Sequence, residues 1–141
     1  MKRFEMPGDL LLGYAPIDDD HRHLVALFND MVSLPESASA GQFAARFEAF
    51  AGAFESHCTA EMEMLRGFDF PDTEAHAEHH ADLIAQARKF GDAAKMRKYT
   101  GKMKEQFLRT AIWIFLEDAI GEDPKVKSFL MQKGLIEAHH D

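Results

Sequence analysis

Pairs of ionisable residues lie on the expected apolar faces of helices, and this pattern limits how the chain can fold. His57 and Glu61 are four residues apart, as are His76 and His80, so each pair shares one helix face. His57 follows Phe54 by three positions, which places it on the side that should be buried. Burying such groups costs several kcal/mol each unless partners or metal ions satisfy them. The pattern predicts a helical protein with a polar site in its core.

The same placement occurs near the N-terminus, where His21 precedes Leu24 by three residues and Phe28 by seven. Leu83 likewise follows His80 by three residues. Taken singly, each histidine would more often lie at the surface or in a hydrogen bond. Together, three imidazole-bearing faces with a carboxylate among them predict a metal site, because hydrogen bonds alone satisfy such a set poorly. Imidazole with carboxylate suits iron, manganese or zinc.

Helix breakers divide the chain into four long amphipathic segments and a short fifth one. We expect helices from about residue 18 to 35, over 42–65, from 72 or 73 to about 90, over 102–120 and over 125–132. An irregular N-terminal arm precedes them, and no strand pattern occurs. The expected fold class is all-α, an up-down-up-down four-helix bundle with a short C-terminal helix, forming a single domain over residues 1–141.

Composition argues against several classes of protein. The formal net charge is −8, and the basic residues between positions 95 and 104 point in different directions, so we expect no nucleic-acid partner. No apolar run approaches the roughly 18 residues of a membrane span, so we expect no membrane partner. The single cysteine, Cys58, allows no intramolecular disulfide, and the first residues lack a signal-peptide pattern. A cytoplasmic location is therefore expected.

Four histidines are expected outside the metal site. His23 and His79 flank the pairs on other helix faces, and we expect them at the surface or beside the ligands. His139 and His140 belong to a C-terminal tail, where solvent contact is expected.

The motifs, in this order, resemble those of the hemerythrin family in its bacterial single-domain form. Residues 17–24 (Ile-Asp-Asp-Asp-His-Arg-His-Leu) are similar to the family's first-helix motif, Ile-Asp-x-x-His-x-x-Leu. Residues 57–61 resemble its HxxxE motif, 76–80 its HxxxH motif, and 67–71 the turn between them. The resemblance covers most of the chain. It implies a four-helix bundle that holds two iron ions joined by carboxylates and binds dioxygen.

The fourth helix departs from the family pattern, which ends in His-x-x-x-x-Asp. No histidine lies between His80 and His139. Alignment from the C-terminal side puts Asp123 at the family's bridging aspartate and Asp118 in place of the missing histidine. A carboxylate ligand would then replace an imidazole.

A second alignment, anchored on Trp113, selects Glu117 and Glu122 instead. Helix phase favours Asp118, because apolar residues lead to it in three- and four-residue steps: Met103, Phe107, Ala111 and Ile114. Glu117 is three residues from the last of these and stays open as an alternative. A solvated acidic helix end is the other interpretation of Asp118.

Residue by residue, the resemblance implies a set of seven metal ligands: His21, His57, Glu61, His76, His80, Asp118 and Asp123. Glu61 and Asp123 are expected to bridge the metals. The histidines of the first two helices are expected to hold the metal with the open position for dioxygen. Those of the third helix, with the fourth-helix carboxylate, are expected to hold the other.

An added carboxylate should stabilise the higher oxidation state of a bound metal, so we expect easy autoxidation. More oxygen ligands also make manganese, or a mixed manganese–iron pair, an alternative to two iron ions. The expected function is dioxygen binding or oxygen and redox sensing. A di-metal oxidase or peroxidase, or iron storage, are the alternatives, so enzymatic activity is left open. Cys58 follows a ligand, and two interpretations of it stay open: a small buried apolar residue, which is the favoured one, or a residue near the oxygen pocket.

Overall fold

The computed structural model describes residues 2–136, and these residues form helices with no β-strand among them. The five α-helices are α1 (Ala15–Ser33), α2 (Ala40–Gly67), α3 (Thr73–Met96), α4 (Gly101–Leu116) and α5 (Asp123–Gln132). A 3-10 turn precedes α1, and a π-helical segment over Glu117–Glu122 separates α4 from α5. The all-α fold class is confirmed. None of the helices within residues 2–136 combines the length and apolar character needed to cross a membrane. His139 and His140 lie outside the described residues.

The start of α1 and the end of α3 differ from the sequence expectation. α1 begins at Ala15, before the run of aspartates, because Pro16 fits the first helical turn, where its missing N–H is not needed. α3 continues through Gly91 to Met96 instead of ending near residue 90. Gly91 is buried within the helix, so packing overrides its weak helix propensity.

Side-chain caps fix where α2 and α4 begin. The Gln42 N–H donates to Ser39 Oγ at 3.1 Å, and the Ser39 N–H donates to Gln42 Oε1 at 2.8 Å, which makes a capping box. The Met103 N–H donates to Thr100 Oγ1 at 3.1 Å at the start of α4. Both helices are therefore positioned by residues of the short loops before them.

The buried apolar residues form two clusters. The larger cluster involves α1, α2, α3 and α4, and its fully buried phenylalanines include Phe43, Phe47, Phe54 and Phe107. The smaller cluster gathers the arm, the α2–α3 turn and α5, and includes Leu12, Ile17, Leu65, Phe70, Val126 and Phe129. At the turn, Asp69 adopts a φ of 59°, and the next side chain, Phe70, packs with its ring centroid 5.0 Å from that of Phe129.

The N-terminal arm is held to α1 by side-chain hydrogen bonds. The Phe4 N–H donates to Asn29 Oδ1 at 2.8 Å, and Asn29 Nδ2 donates to the Phe4 carbonyl at 3.0 Å. The buried carboxylate of Asp18 accepts from the N–H groups of Leu12 at 2.7 Å and Gly13 at 2.9 Å. The arm therefore packs on the helices.

Two of the basic residues between positions 95 and 104 make contacts within the protein. Lys104 Nζ donates to the carbonyls of Val32 at 2.8 Å and Leu34 at 2.6 Å, and so satisfies the C-terminal end of α1. Lys95 Nζ lies 3.5 Å from the carboxylate of Glu48 in α2. These two side chains therefore link the residues on either side of the α3–α4 connection to α1 and α2.

Candidate metal centre

A layer of ionisable side chains separates the two apolar clusters. In α1, His21 lies between Ile17 of the smaller cluster and Leu24 of the larger one. In α2, His57 and Glu61 lie between Phe54 of the larger cluster and Leu65 of the smaller one. All seven residues expected as ligands are at most 2% exposed: His21, His57, Glu61, His76, His80, Asp118 and Asp123. The structure thus brings every one of them into a single buried layer.

Six of these side chains form two groups that share two carboxylates. The first group is His21, His57, Glu61 and Asp118, and the second is Glu61, His76, His80 and Asp118. In each group, one nitrogen or oxygen atom per residue lies within 4.8 Å of the others. Each group therefore offers two imidazoles and two carboxylates, and both carboxylates stand between the groups.

The two oxygens of Asp118 face different histidines. Oδ1 lies 2.9 Å from His80 Nε2, whereas Oδ2 lies 3.3 Å from His57 Nε2 and 3.8 Å from His21 Nε2. One oxygen therefore faces the second group and the other faces the first. This is the orientation that a bridging carboxylate requires.

Glu61 is arranged in the same way. Its Oε1 lies 2.5 Å from His76 Nε2 and 3.7 Å from His80 Nε2, and its Oε2 lies 3.2 Å from His57 Nε2. Glu61 thus also presents one oxygen to each group.

Asp123 stands on one side of the centre. Its Oδ2 lies 3.1 Å from His21 Nε2, and Asp123 is a member of neither four-residue group. The expectation made Asp123 a bridge and Asp118 a ligand of the third-helix metal. In the structure, Asp118 occupies the shared position and Asp123 lies beside the first group.

The π-helical segment explains how Asp118 and Asp123 reach the same buried layer. The Asp123 N–H donates to the Asp118 carbonyl, a bond between residues five apart. In an α-helix, where four residues separate the bonded groups, residues five apart diverge around the axis. The expected uninterrupted helix over residues 102–120 was therefore wrong beyond Leu116. The wider turn keeps both carboxylates directed inward.

The alternative pair, Glu117 and Glu122, lies outside both groups. Glu117 is only partly buried. Glu122 Oε2 lies 3.4 Å from Nδ1 of His76, on the ring side away from the shared carboxylates. Glu122 therefore contacts the ring nitrogen of His76 that faces away from the shared carboxylates, and it belongs to neither group.

Asp20 makes a similar outer contact, which sequence reasoning missed. Its Oδ2 lies 3.1 Å from His57 Nδ1, while Nε2 of the same ring faces the centre. A carboxylate on one ring nitrogen fixes the tautomer and the ring direction, and raises the basicity of the other nitrogen. Asp20 and His57 are 37 positions apart, so no local spacing could have revealed the contact.

The remaining candidates take other places. His23 is exposed and His79 is partly buried, consistent with their expected positions outside the ligand set. Cys58 is buried within the larger apolar cluster. Burial raises the pKa of its thiol, and the charges of Asp118 and Glu61 raise it further. The thiol is therefore un-ionised, as expected of a small apolar residue.

The layer shifts the pKa values of its members in opposite directions. Burial alone would lower the pKa of His21, but contacts with Asp118 and Asp123 outweigh it and raise that pKa to about 9. Burial would likewise lower the pKa of His57, but Asp118 and Glu61 raise it well above its usual value. Burial, together with the charges of Asp118 and Glu61, raises the pKa of Asp123 to about 8.

The pKa values of the two shared carboxylates, Glu61 and Asp118, are lowered instead. Burial alone would raise their pKa values, but the surrounding imidazoles outweigh it. The pKa of Glu61 is lowered by His57 and His76, and that of Asp118 is held well below its usual range by three histidines. Both carboxylates are therefore ionised, which is the form that binds cations.

Several buried atoms that point into the layer lack hydrogen-bond partners among residues 2–136. They include His21 Nε2, Glu61 Oε2 and both carboxylate oxygens of Asp123. His21 Nε2 and Asp123 Oδ2 are 3.1 Å apart. Buried polar atoms are rarely left unsatisfied. Imidazole nitrogens and carboxylate oxygens that converge with some of their bonding capacity unused fit shared cations.

No protein-family model matches the sequence, and no curated protein matches it significantly.

We expect Asp20→Asn to weaken metal binding by roughly 10- to 100-fold, because His57 loses the carboxylate that orients its ring. Chelator competition on the purified protein measures this affinity. The matched control is Asp19→Asn, since Asp19 is exposed and, within residues 2–136, forms an ion pair only with Arg22, at 3.3 Å. Equal affinities for the two variants would show that Asp20 does not position His57.

Metal uptake should release protons at neutral pH. With pKa values of about 9 for His21 and about 8 for Asp123, the metal-free protein holds protons that a cation must displace. The apparent affinity should therefore rise as the pH increases from about 6 to about 9. Calorimetry in buffers of different ionisation enthalpy measures the protons released. An affinity that is independent of pH would contradict this expectation.

Proposed function

We propose that the buried layer binds two metal ions, with Glu61 and Asp118 as the bridging carboxylates. The observation that carries this proposal is that two ligand groups share these two residues, and that each shared carboxylate presents one oxygen to each group. His21, His57 and Asp123 would hold one ion. His76 and His80 would hold the other. The convergent atoms without hydrogen bonds support the same assignment.

We further propose that the chain is hemerythrin-like and that the ions are iron. Support comes from the order of the first-helix, HxxxE and HxxxH motifs, all of which contribute to the buried layer. The short connections between the long helices support the up-down-up-down order of such a bundle. A set of four imidazoles and three carboxylates suits iron, and also suits manganese or a mixed pair.

The proposed role is dioxygen binding, or sensing of oxygen and redox state. Two ferrous ions would supply the electrons for binding dioxygen, and the two apolar clusters border the layer on either side. A di-metal oxidase or peroxidase is the second candidate, favoured by the third carboxylate, Asp123. Repeated consumption of peroxide by the purified protein would distinguish the enzyme from a binding protein.

Metal analysis of the purified protein should find roughly two ions per chain. We expect Asp118→Asn to lower this content well below two, because the variant removes the ionised oxygens that both groups share. Glu117→Gln, an equivalent change at the adjacent partly buried residue, should leave the content unchanged. Circular dichroism of each metal-free variant checks that the helices persist. Full loading of Asp118→Asn would contradict the bridging role.

The reduced iron-loaded protein should autoxidise quickly. Three carboxylates around the centre favour the more positive oxidation state, since nearby negative charge lowers its energy. Stopped-flow mixing with dioxygen, followed by absorption, should show the reduced form converting to the oxidised form within minutes. An oxygen adduct that persists for hours would contradict this prediction.

A further inference from the structure

The two halves of the centre differ in the number of protein groups that they offer. Glu61 and Asp118 are common to both halves. The half with His21 also has Asp123, whose Oδ2 lies 3.1 Å from His21 Nε2. The half with His80 has no corresponding carboxylate among residues 2–136 within its group. A metal on the His76/His80 side would therefore keep more positions for an external ligand.

Aromatic side chains pack against both halves. On the His21 side, the ring of Phe115 packs edge-on with its centroid 5.4 Å from that of His21, and Phe4 of the N-terminal arm lies 6.0 Å from Phe115. On the other side, the ring of Phe70 packs edge-on with its centroid 6.0 Å from that of His76. Aromatic packing therefore does not distinguish the halves, and a difference in access has to come from elsewhere.

On the His80 side, a cleft between α2 and α3 reaches the layer. Its volume is about 250 Å³, and His80 and Cys58 line it. Its other walls combine small or apolar side chains with two charged ones: Met62, Ala77, Ala81 and Ile84 with Glu63 and Arg66. Such a cleft could admit small neutral molecules or small singly charged anions, and it offers few groups that would bind a larger polar substrate.

We propose that the external-ligand position lies on the His76/His80 metal and that the α2–α3 cleft is its entrance. The inference rests on the proposed two-metal function. It reverses the expectation from the hemerythrin resemblance, in which the open metal belongs to the first two helices. The change follows from this chain's own residues. Asp123 adds a group to the first half, and no fourth-helix histidine adds one to the second.

The entrance is tested by the rate at which azide binds to the oxidised iron-loaded protein, followed by absorption in a stopped-flow instrument. Ala81→Phe places a ring in the cleft from an exposed position, so the helices should fold normally. We expect it to slow azide association roughly tenfold or more. Ala85→Phe is the control, because Ala85 is exposed one turn further along α3 and does not line the cleft. Equal rates for both variants would overturn the proposed entrance.

The position of the ligand is tested by a crystal structure of the azide complex. Azide on the metal held by His76 and His80 is the expected result. Azide on the metal held by His21 and His57 would overturn this inference and leave the two-metal function intact. A protein that takes up no metal pair under any loading condition would overturn both.

Discussion

Three histidine rings direct Nε2 at the two oxygens of Asp118, a residue without solvent exposure. A buried carboxylate without such partners would cost several kcal/mol, and removing one partner from a buried pair is similarly unfavourable. The three rings come from α1, α2 and α3, while Asp118 follows α4 directly. The packing of all four long helices is therefore tied to one side chain. Helix positions that bury the apolar faces must also bring these groups together.

The two apolar clusters strengthen the electrostatic interactions within the layer. The layer lies between them, so its ion pairs act in a medium of lower effective dielectric than water. The same burial that strengthens attraction also penalises uncompensated charge. Excess carboxylate charge is relieved by protons on the imidazoles, as the raised pKa of His57 indicates, and on Asp123. Bound cations would neutralise the same carboxylate charge and would displace those protons.

The sequence could predict which side chains of the first three helices enter the buried layer because α-helical periodicity relates each of them to an apolar neighbour. His57 follows Phe54 and His80 precedes Leu83, and in the structure those neighbours are buried in the larger cluster. Periodicity also favoured Asp118 over Glu117. The contact between Asp20 and His57 depends on how α1 and α2 pack, so no local pattern encodes it. The shared position of Asp118 could not be predicted either, because it depends on a change of helix type.

Burial decides between the two competing alignments of the fourth helix. Alignment from the tryptophan selects Glu117 and Glu122, whereas the buried residues are Asp118 and Asp123. In an uninterrupted α-helix, residues five apart would diverge around the axis. With the wider turn, both buried carboxylates face the layer, one between the groups and one beside His21. A single backbone irregularity thus makes the two halves unequal, and the half with fewer protein groups is the one that the α2–α3 cleft reaches.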